Sequence, residues 1–311
     1  MKKLQLLVLF FVATAFTFPA KDLKLEYTFK VGDEYTWTAT SHRTIKQNIP
    51  SMGEMTTEID QNAVLNLKVV EILPTGAKLE VQYQKLKMLT KAPNGMGNVS
   101  MDSESTEDNS QNKAVKAMMN KPFFLKLTKK GVVESVEGTE NLFSDFGNLG
   151  SDDASFNVLK QQLQQSLNND SQKTIFSSAF IVFPETKVKV GATWKTSAEG
   201  KAMNFTSKVD QTMALKSNDG TQAVISIDGA IVSTDKDKAV ELPMGIKAKL
   251  DITGKSAMSG KVNVKTGWST ELKGVTESKG TMTLLAGGMI PQDMLVPVET
   301  SDETQYIMVK K

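Results

Sequence analysis

The stretch IFSSAFIVFPETKVKVGATW, residues 175–194, decides the fold. It is apolar as far as Phe183-Pro184 and then ends in VKVGATW at residues 188–194. A similar phrase, FKVGDEYTW, stands at residues 29–37. We interpret residues 175–194 as the boundary where one β-rich module ends and a second copy of its plan begins.

Two further pairs of turns support this duplication. The first module has glycine turns between apolar strands at Gly76 and Gly131, and the second module has them at Gly220 and Gly267. Short turns between alternating strands predict hairpins, and hairpins build antiparallel sheets. With the VG phrase, three features therefore recur in the same order.

The alternation of apolar and polar residues predicts strands along most of the chain. Strands are expected at 23–31, 35–39, 55–73 with a bulge at Val69-Val70, 79–83, 123–136 as a hairpin, 213–227 as a hairpin, 246–252, 262–274 as a hairpin, and near Met282 and 306–309. The polar segments 47–53 and 91–112 are predicted as loops. Helices are expected at 114–120, at 155–168 with Ser155 as N-cap, and near 174–181.

These patterns predict a mainly β or α+β fold with two related antiparallel modules and a few helices. Residues 21–150 form the first module, residues 151–182 a helical connector packed on the sheets, and residues 183–311 the second module. The modules could share one continuous sheet or form two curved sheets, each with a helix in its concave side.

The N-terminus has the pattern of a secretory signal peptide. Lys2 and Lys3 precede an apolar run at residues 4–12, and small residues allow cleavage after Ala15 or Ala20. An uncleaved anchor helix is the alternative, but the run is shorter than the roughly 20 residues that span a bilayer. We expect an exported protein, periplasmic or extracellular, with residues 1–20 as the leader.

Composition excludes several classes of chemistry. The 311 residues contain no cysteine, which excludes disulfides, thiolate metal sites and a lipoprotein anchor built on a cysteine. The 37 basic residues balance 35 acidic ones, and loss of Lys2 and Lys3 leaves 35 against 35. Arg43 is the only arginine, so a nucleic-acid partner is not expected.

No catalytic, cofactor or metal site is predicted. His42 is the only histidine, and beside Arg43 at a strand end it is more typical of a solvated pair than of a catalytic base. The acidic segment 102–108 lacks the glycine of a calcium loop. The three tryptophans, Trp37, Trp194 and Trp268, are expected to anchor the core rather than to hold a sugar.

Sixteen methionines are the unusual feature of the composition. Methionine fills irregular gaps in a core, and it also suits adaptable apolar binding surfaces. A cleft for an apolar or peptide ligand would be lined by methionines near breaks in the strand pattern, namely Met118, Met119, Met289 and Met294.

The leader, VGDEYTW, AMMNKPFFLKLTKKGVVESVEG and FPETKVKVGATW resemble a family of uncharacterised exported proteins typical of the Bacteroidota. The resemblance covers nearly the whole mature chain. It implies an envelope protein built on duplicated antiparallel sheets, with no activity and no functional residue to carry over. Many members look like lipoproteins, whereas this chain lacks the cysteine.

Three functions stay open from the sequence. The first is a non-enzymatic envelope protein that binds an apolar ligand, a peptide or a partner protein. The second is a structural or surface-assembly module without a small ligand. The third is a hydrolase that uses two carboxylates, whose separation in space the sequence does not give.

Overall fold

The alternating segments form one long antiparallel sheet in a computed structural model, which describes residues 22–50, 52–93, 98–149, 154–202, 205–242, 245–287 and 290–311. The strands are β1 Glu34–Ile49, β2 Gly53–Ile72, β3 Gly76–Lys91, β4 Val99–Asp102, β5 Pro122–Thr128, β6 Val133–Glu137, β7 Thr193–Ala202, β8 Phe205–Asn218, β9 Gln222–Ser233, β10 Val240–Glu241, β11 Lys247–Asn263, β12 Ser269–Leu284 and β13 Met294–Lys310. The helices are α1 Ser110–Met118, α2 Ala154–Ser166 and α3 Asn169–Ala179, with 3-10 turns at Thr139–Phe143 and Phe146–Asn148.

The sheet consists of two meanders. They are joined by the pairing of β1, the first strand along the chain, with β13, the last. Its path is β6-β5-β3-β2-β1-β13-β12-β11-β9-β8-β7, with β4 beside β3 and β10 beside β11. Each strand pairs antiparallel with its neighbours. β1 and β13 pair from Tyr35 opposite Lys310 to Gln47 opposite Val298. The strands of both predicted modules therefore belong to one continuous sheet rather than to two separate ones.

The two faces of the sheet differ in burial because side chains alternate along a strand. The face that carries Trp37 packs on the helices, and we call it the inner face. The face that carries His42 is the outer face. Trp37 is 2% exposed, whereas His42 is exposed to solvent. The strand registers place every other residue of each strand on one of these two faces.

Helix α3 lies between the two ends of the curled sheet. It begins after Asn168, whose side chain accepts a hydrogen bond from the Ser171 N–H. It contacts both β6 and β7, the two end strands, which do not pair with each other. At β7, the Thr174 hydroxyl accepts from the Lys201 N–H at 3.1 Å. Helix α3 thus connects the two edges.

The core is packed around the inner side of α3. Phe176 is fully buried, with its ring 4.9 Å from that of Trp37 and 6.1 Å from that of Phe123. The Tyr83 hydroxyl donates to Gln172 Oε1 at 3.2 Å, and burial raises the pKa of Tyr83 to about 12. These buried contacts join α3 firmly to the strands β1, β3 and β5.

The phrase that suggested a repeat forms the same turn in both places. Gly32 and Gly191 each have φ of +90°, a conformation that side chains with a Cβ adopt only with strain. The Gly32 N–H donates to the Val69 carbonyl at 2.9 Å, and the Gly191 N–H donates to the Leu215 carbonyl at 2.8 Å.

A bulge follows each of these two contacts. The pairing of β2 with β3 shifts register between Val69 and Glu71, and that of β8 with β9 shifts between Leu215 and Ser217. The predicted bulge at residues 69–70 is confirmed. The same turn therefore precedes the first strand of each half, and a bulge occurs in the second hairpin of each half.

The prediction of a strand at residues 23–31 was wrong. The segment is extended and buries Leu25 and Tyr27, but it makes only an isolated bridge, from Leu23 to Val188. The Tyr27 N–H donates to the Lys129 carbonyl, and the Thr28 N–H donates to that of Thr266. Alternation correctly indicated which residues are buried, but the segment crosses the turns of two hairpins instead of joining the sheet.

Two predicted loops were too long. The loop expected at 47–53 is only a short connection, since β1 runs to Ile49 and β2 begins at Gly53. The loop expected at 91–112 contains β4 and the start of α1. Helix α2 begins at Ala154, so Ser155 lies inside the helix and is not its N-cap. The predicted hairpins through Gly76, Gly131, Gly220 and Gly267 are confirmed.

Candidate functional site

An open groove lies on the outer face of the four central strands. Its volume is about 520 Å³, which is within the range of ligand pockets. Eight of its eleven lining residues are outer-face side chains, two from each strand: Thr44 and Lys46 of β1, Thr253 and Lys255 of β11, Glu277 and Lys279 of β12, and Glu299 and Ser301 of β13. We call it the outer groove.

The strand registers arrange these side chains in two rows that cross the strands. In the first row Lys255 stands opposite Glu277, which stands opposite Ser301. In the second row Glu299 stands between Lys279 on one side and Lys46 on the other. Opposite charges therefore face each other across neighbouring strands, in the arrangement that normally favours cross-strand pairing.

These opposed charges do not form ion pairs. None of the five charged groups lies within 4.0 Å of an opposite charge anywhere in the described ranges. Opposed pairs elsewhere on the outer face do close, as Lys261 with Glu271 at 2.7 Å and Lys68 with Glu34 at 3.0 Å. The outer groove thus holds three lysines and two glutamates whose charges are free to meet a ligand.

Glycines at inner-face positions account for the open spacing. A Cβ on Gly254 would lie 2.6 Å from the Glu277 carbonyl oxygen, and one on Gly274 would lie 2.6 Å from the Met258 Cα. Only glycine permits β11 and β12 to approach so closely on this side.

A second cavity of about 310 Å³ lies where α3 begins, beside β7, β8 and β10. Its lining includes Asp170, Lys201, Lys238 and Glu241. Lys201 and Asp170 are paired at 3.2 Å, so part of its charge is already neutralised. The cavity has no independent sign of a ligand.

His42 lies on the outer face between acidic residues of two neighbouring strands. Its Nδ1 is 2.6 Å from Asp60 Oδ1, and Glu303 is opposite it on β13. The hydrogen bond with Asp60 raises the pKa of His42, and the same bond lowers the pKa of Asp60. Among the described residues, no hydroxyl shares a hydrogen bond with the His42 ring. The contact between His42 and Asp60 is exposed to solvent, and His42 lies inside β1 rather than at the predicted strand end.

In the acidic segment 102–108, Asp102 makes a hydrogen bond and an ion pair with nearby residues. Asp102 accepts a hydrogen bond from the Glu104 N–H at 2.9 Å and pairs with Lys87 at 3.1 Å. The bond from Glu104, followed by the Lys87 charge, lowers the pKa of Asp102. Over the described ranges, no group of three or more histidine or acidic side chains is placed to hold a metal ion.

Three of the four predicted methionines lie in the part of the chain that the structure describes. Met118 is completely buried in α1, and Met119 is partly buried against the core. Met294 begins β13, opposite Leu284, and Met289 lies outside the described residues. Neither cavity is lined by Met118, Met119 or Met294. Their role in binding an apolar ligand stays a prediction.

Sequence reasoning missed the charged residues of the outer groove. Their only signal is a lysine or glutamate at alternate positions, as in Glu277 and Lys279, which is typical of any solvated strand face. Trp37 and Trp268 are buried at 2% and 4% exposure, and Trp194 is partly buried against the core. The tryptophans therefore anchor the core, as predicted.

The described residues include no helix with the length and apolar character needed to cross a bilayer.

Comparisons with known structures give only distant likenesses. Lipovitellin, solved for its lipid–protein interactions, aligns with a TM-score of 0.44 and 7% identity over 91% of this chain and 25% of its own. The β domain of the Bordetella autotransporter BrkA has a TM-score of 0.23 and 5% identity, over 89% of this chain and 99% of its own. OccK7 of Pseudomonas aeruginosa has a TM-score of 0.19 and 8% identity, over 90% and 100%. The chain thus spans about a quarter of lipovitellin. None of these similarities indicates a function for this chain.

No curated protein sequence matches the chain. A family model does match it over residues 75–269, which is more than half of its length and extends from β3 through β11 to the first residue of β12. The chain belongs to the family of unknown function DUF6263.

Proposed function

We propose that the protein is an exported, non-enzymatic binding protein of the cell envelope that holds a polar ligand in the outer groove. The observation that carries this proposal is the set of five unpaired charges in a groove of about 520 Å³. The ligand class is a short peptide with both acidic and basic side chains. Of the three ligand classes that the sequence left open, a peptide matches this lining best.

The charge pattern of the groove supports a ligand that carries both signs. Lys255 and Lys279 flank Glu277, and Glu299 lies between Lys279 and Lys46. An anion alone would meet the repulsion of two carboxylates, and a cation alone would meet three ammonium groups. The hydroxyls of Thr44 and Ser301, which both donate and accept, suit the amide groups of a peptide.

A binding role agrees with the chemistry of the rest of the chain. His42 is solvated and its acidic partner is as exposed as the ring, at 45% and 47%. A general base works best where burial and neighbours hold it in place near its substrate. Export is supported by Lys2, Lys3 and the apolar run at residues 4–12, which have the pattern of a cleavable leader.

The test is a binding titration with three blocked octapeptides, one of alternating lysine and glutamate, one of glutamate and one of lysine. The alternating peptide should bind saturably, and the two single-sign peptides more weakly. Replacing Lys255, Lys279, Glu277 and Glu299 by glutamine should weaken binding at least about tenfold, since charged contacts across an interface steer and hold a ligand.

The matched control replaces Lys261 and Glu271 by glutamine. These two residues are on the same strands and the same face but form a closed ion pair. The control should bind as the unmodified protein does. Equal binding by the groove variant, or no saturable binding of any peptide, would contradict the proposal.

We also propose that residues 21–150 and 183–311 descend from one duplicated module. Support comes from the shared turns at Gly32 and Gly191 and the bulges that follow Val69 and Leu215. A sequence profile built from relatives of the first module should detect the second module in the same register. A profile that detects unrelated sheets equally well would remove the support.

A further inference from the structure

Strand β7 ends the sheet and pairs with β8 alone. An edge strand offers a row of unpaired backbone N–H and C=O groups to any second strand. Proteins often shorten or cover such edges, and β6, at the other end, has five residues. β7 has ten residues in an unbroken register with β8.

The hydrogen bonds of Lys201 show which backbone groups face outward from β7. Its N–H donates to the Thr174 hydroxyl, and its C=O accepts from that hydroxyl at 3.4 Å. Lys201 therefore points its backbone groups away from β8. Because direction alternates along a strand, Lys195, Ser197 and Glu199 point theirs outward too.

This part of the edge is uncovered. Lys195, Ser197, Ala198 and Glu199 are all exposed, including Ala198, whose side chain is on the inner face. The N–H groups of Lys195, Ser197 and Glu199 have no backbone partner in the described part of the chain. The hydrogen bonds that join α3 to β7 in the described chain are all at Lys201, outside residues 195–199.

We propose that this edge pairs antiparallel with the same edge of a second copy of the chain, centred on Ser197. In that register Lys195 stands opposite Glu199 of the second copy, and Glu199 stands opposite its Lys195. Both cross-strand pairs join opposite charges. Ser197 meets Ser197, which places no charge at the centre, and Thr196 meets Ala198.

The pairing has the two-fold symmetry of the commonest oligomers, in which the same patch serves both subunits. It continues the sheet from one copy into the next and satisfies the outward groups of residues 195, 197 and 199 in both. It ends where the Thr174 hydroxyl already caps Lys201. The outer groove, on the central strands, stays open in each copy, so the dimer would present two grooves.

Sedimentation and light scattering on the mature chain test this pairing through its charges. The unmodified protein should be a dimer. Lys195→Glu brings glutamates together at both cross-strand pairs, and Glu199→Lys brings lysines together, so each variant should dimerise at least about tenfold more weakly. Mixed in equal amounts, the two variants should form a heterodimer, because every pair then joins opposite charges.

The variant with both substitutions should regain the dimer of the unmodified chain. Lys216→Glu, an exposed position of β8 beyond the residues that pair with β7, is the control and should leave the dimer unchanged. Circular dichroism of each variant checks that the fold is intact. A monomer at every concentration, dimers that persist in both single variants, or a mixture that stays monomeric would overturn the pairing.

Discussion

The two halves of the sheet, β1–β6 and β7–β13, differ in what covers them. In the half β1–β6 the inner positions are large and completely buried, as with Leu67, Leu79 and Phe123, and α1 and the 3-10 turns lie against these strands. In the half β7–β13 several inner positions are small, as with Gly229 and Ser256.

Because both halves have these turns and bulges, local backbone geometry does not determine which strands are covered by helices. The size of the inner side chains does, because large apolar side chains gain most by burial under a helix. Three of the four strands that line the outer groove, β11, β12 and β13, come from the second half.

The largest expected effect compares two tryptophans. Trp37 is 2% exposed and packs against Phe176 and Tyr306, so Trp37→Ala should lower the free energy of unfolding by about 3–5 kcal/mol. Trp194 is partly buried and donates to the Val182 carbonyl, so Trp194→Ala should cost about 2 kcal/mol. Denaturant titration measures both. Equal losses would mean that the halves are equally well covered.

A disulfide can test the attachment of α3 to the second half. The Thr174 Cβ lies 3.8 Å from where a Cβ on Gly200 would lie, which is the usual spacing in a disulfide. The double variant Thr174→Cys, Gly200→Cys in this cysteine-free chain should be more stable oxidised than reduced by about 2–4 kcal/mol.

Comparing the oxidised and reduced forms of the same variant removes the cost of losing the Thr174 hydroxyl. Thr174→Cys alone is the control and should show no difference between the two conditions. If the bond formed but left the melting temperature of the double variant unchanged, it would strain the native state, and α3 and β7 would not have the spacing described here.

Gly32 and Gly191 test whether the repeated turns are energetically equal. Both have φ of +90° and no atom within 4 Å of an added Cβ, so only backbone strain opposes alanine. Gly32→Ala and Gly191→Ala should each cost about 1–2 kcal/mol. Denaturant titration should give two equal values. A clear difference would show that the turns share hydrogen bonds but not their role in stability.

The smallest effect concerns the pair His42 and Asp60 beside the junction of the halves. The pKa of His42 is raised in the folded protein, so its contribution to stability is present below its unfolded pKa, about 6.5, and is lost as pH rises through the folded value. Asp60 has a lowered pKa, so its contribution is lost as pH falls through its folded value. The pair therefore stabilises mainly in mildly acidic solution.

Asp60→Asn should return the pKa of His42 toward 6.5. Because His42 is the only histidine, one NMR signal reports it directly. Lys46→Gln, on the same face and strand, is the control and should change the titration little. An unchanged titration in Asp60→Asn would mean that Glu303, on the second half, holds the charged ring instead.

Much of the local structure could be predicted from the sequence, because period and turn residues act over a few positions. The hairpin through Gly220 and the helix at 155–168 follow from such signals. The prediction of a strand at residues 23–31 was wrong because the alternation of apolar and polar residues indicates burial and not the hydrogen-bond partner. The pairing of β1 with β13 left no local signal at all.

The outer groove could not be predicted for the same reason. It needs Lys46 beside Glu299 and Lys255 beside Glu277, and these neighbours depend on the register of four strands. Lysines and glutamates on strands usually mark only a solvated face. Met118 is the opposite case. Its position near a break in the strand pattern suggested a binding cleft, but its side chain is buried in the core.

The pairing of β1 with β13 has a consequence for how the protein is made. Arg43 and Asp302 are neighbours in the sheet but 259 residues apart along the chain. A ribosome has to synthesise β13 before β1 can gain its second neighbour, and contacts so distant slow folding. A nascent chain would therefore stay incomplete for most of its synthesis, a state that suits the export proposed above.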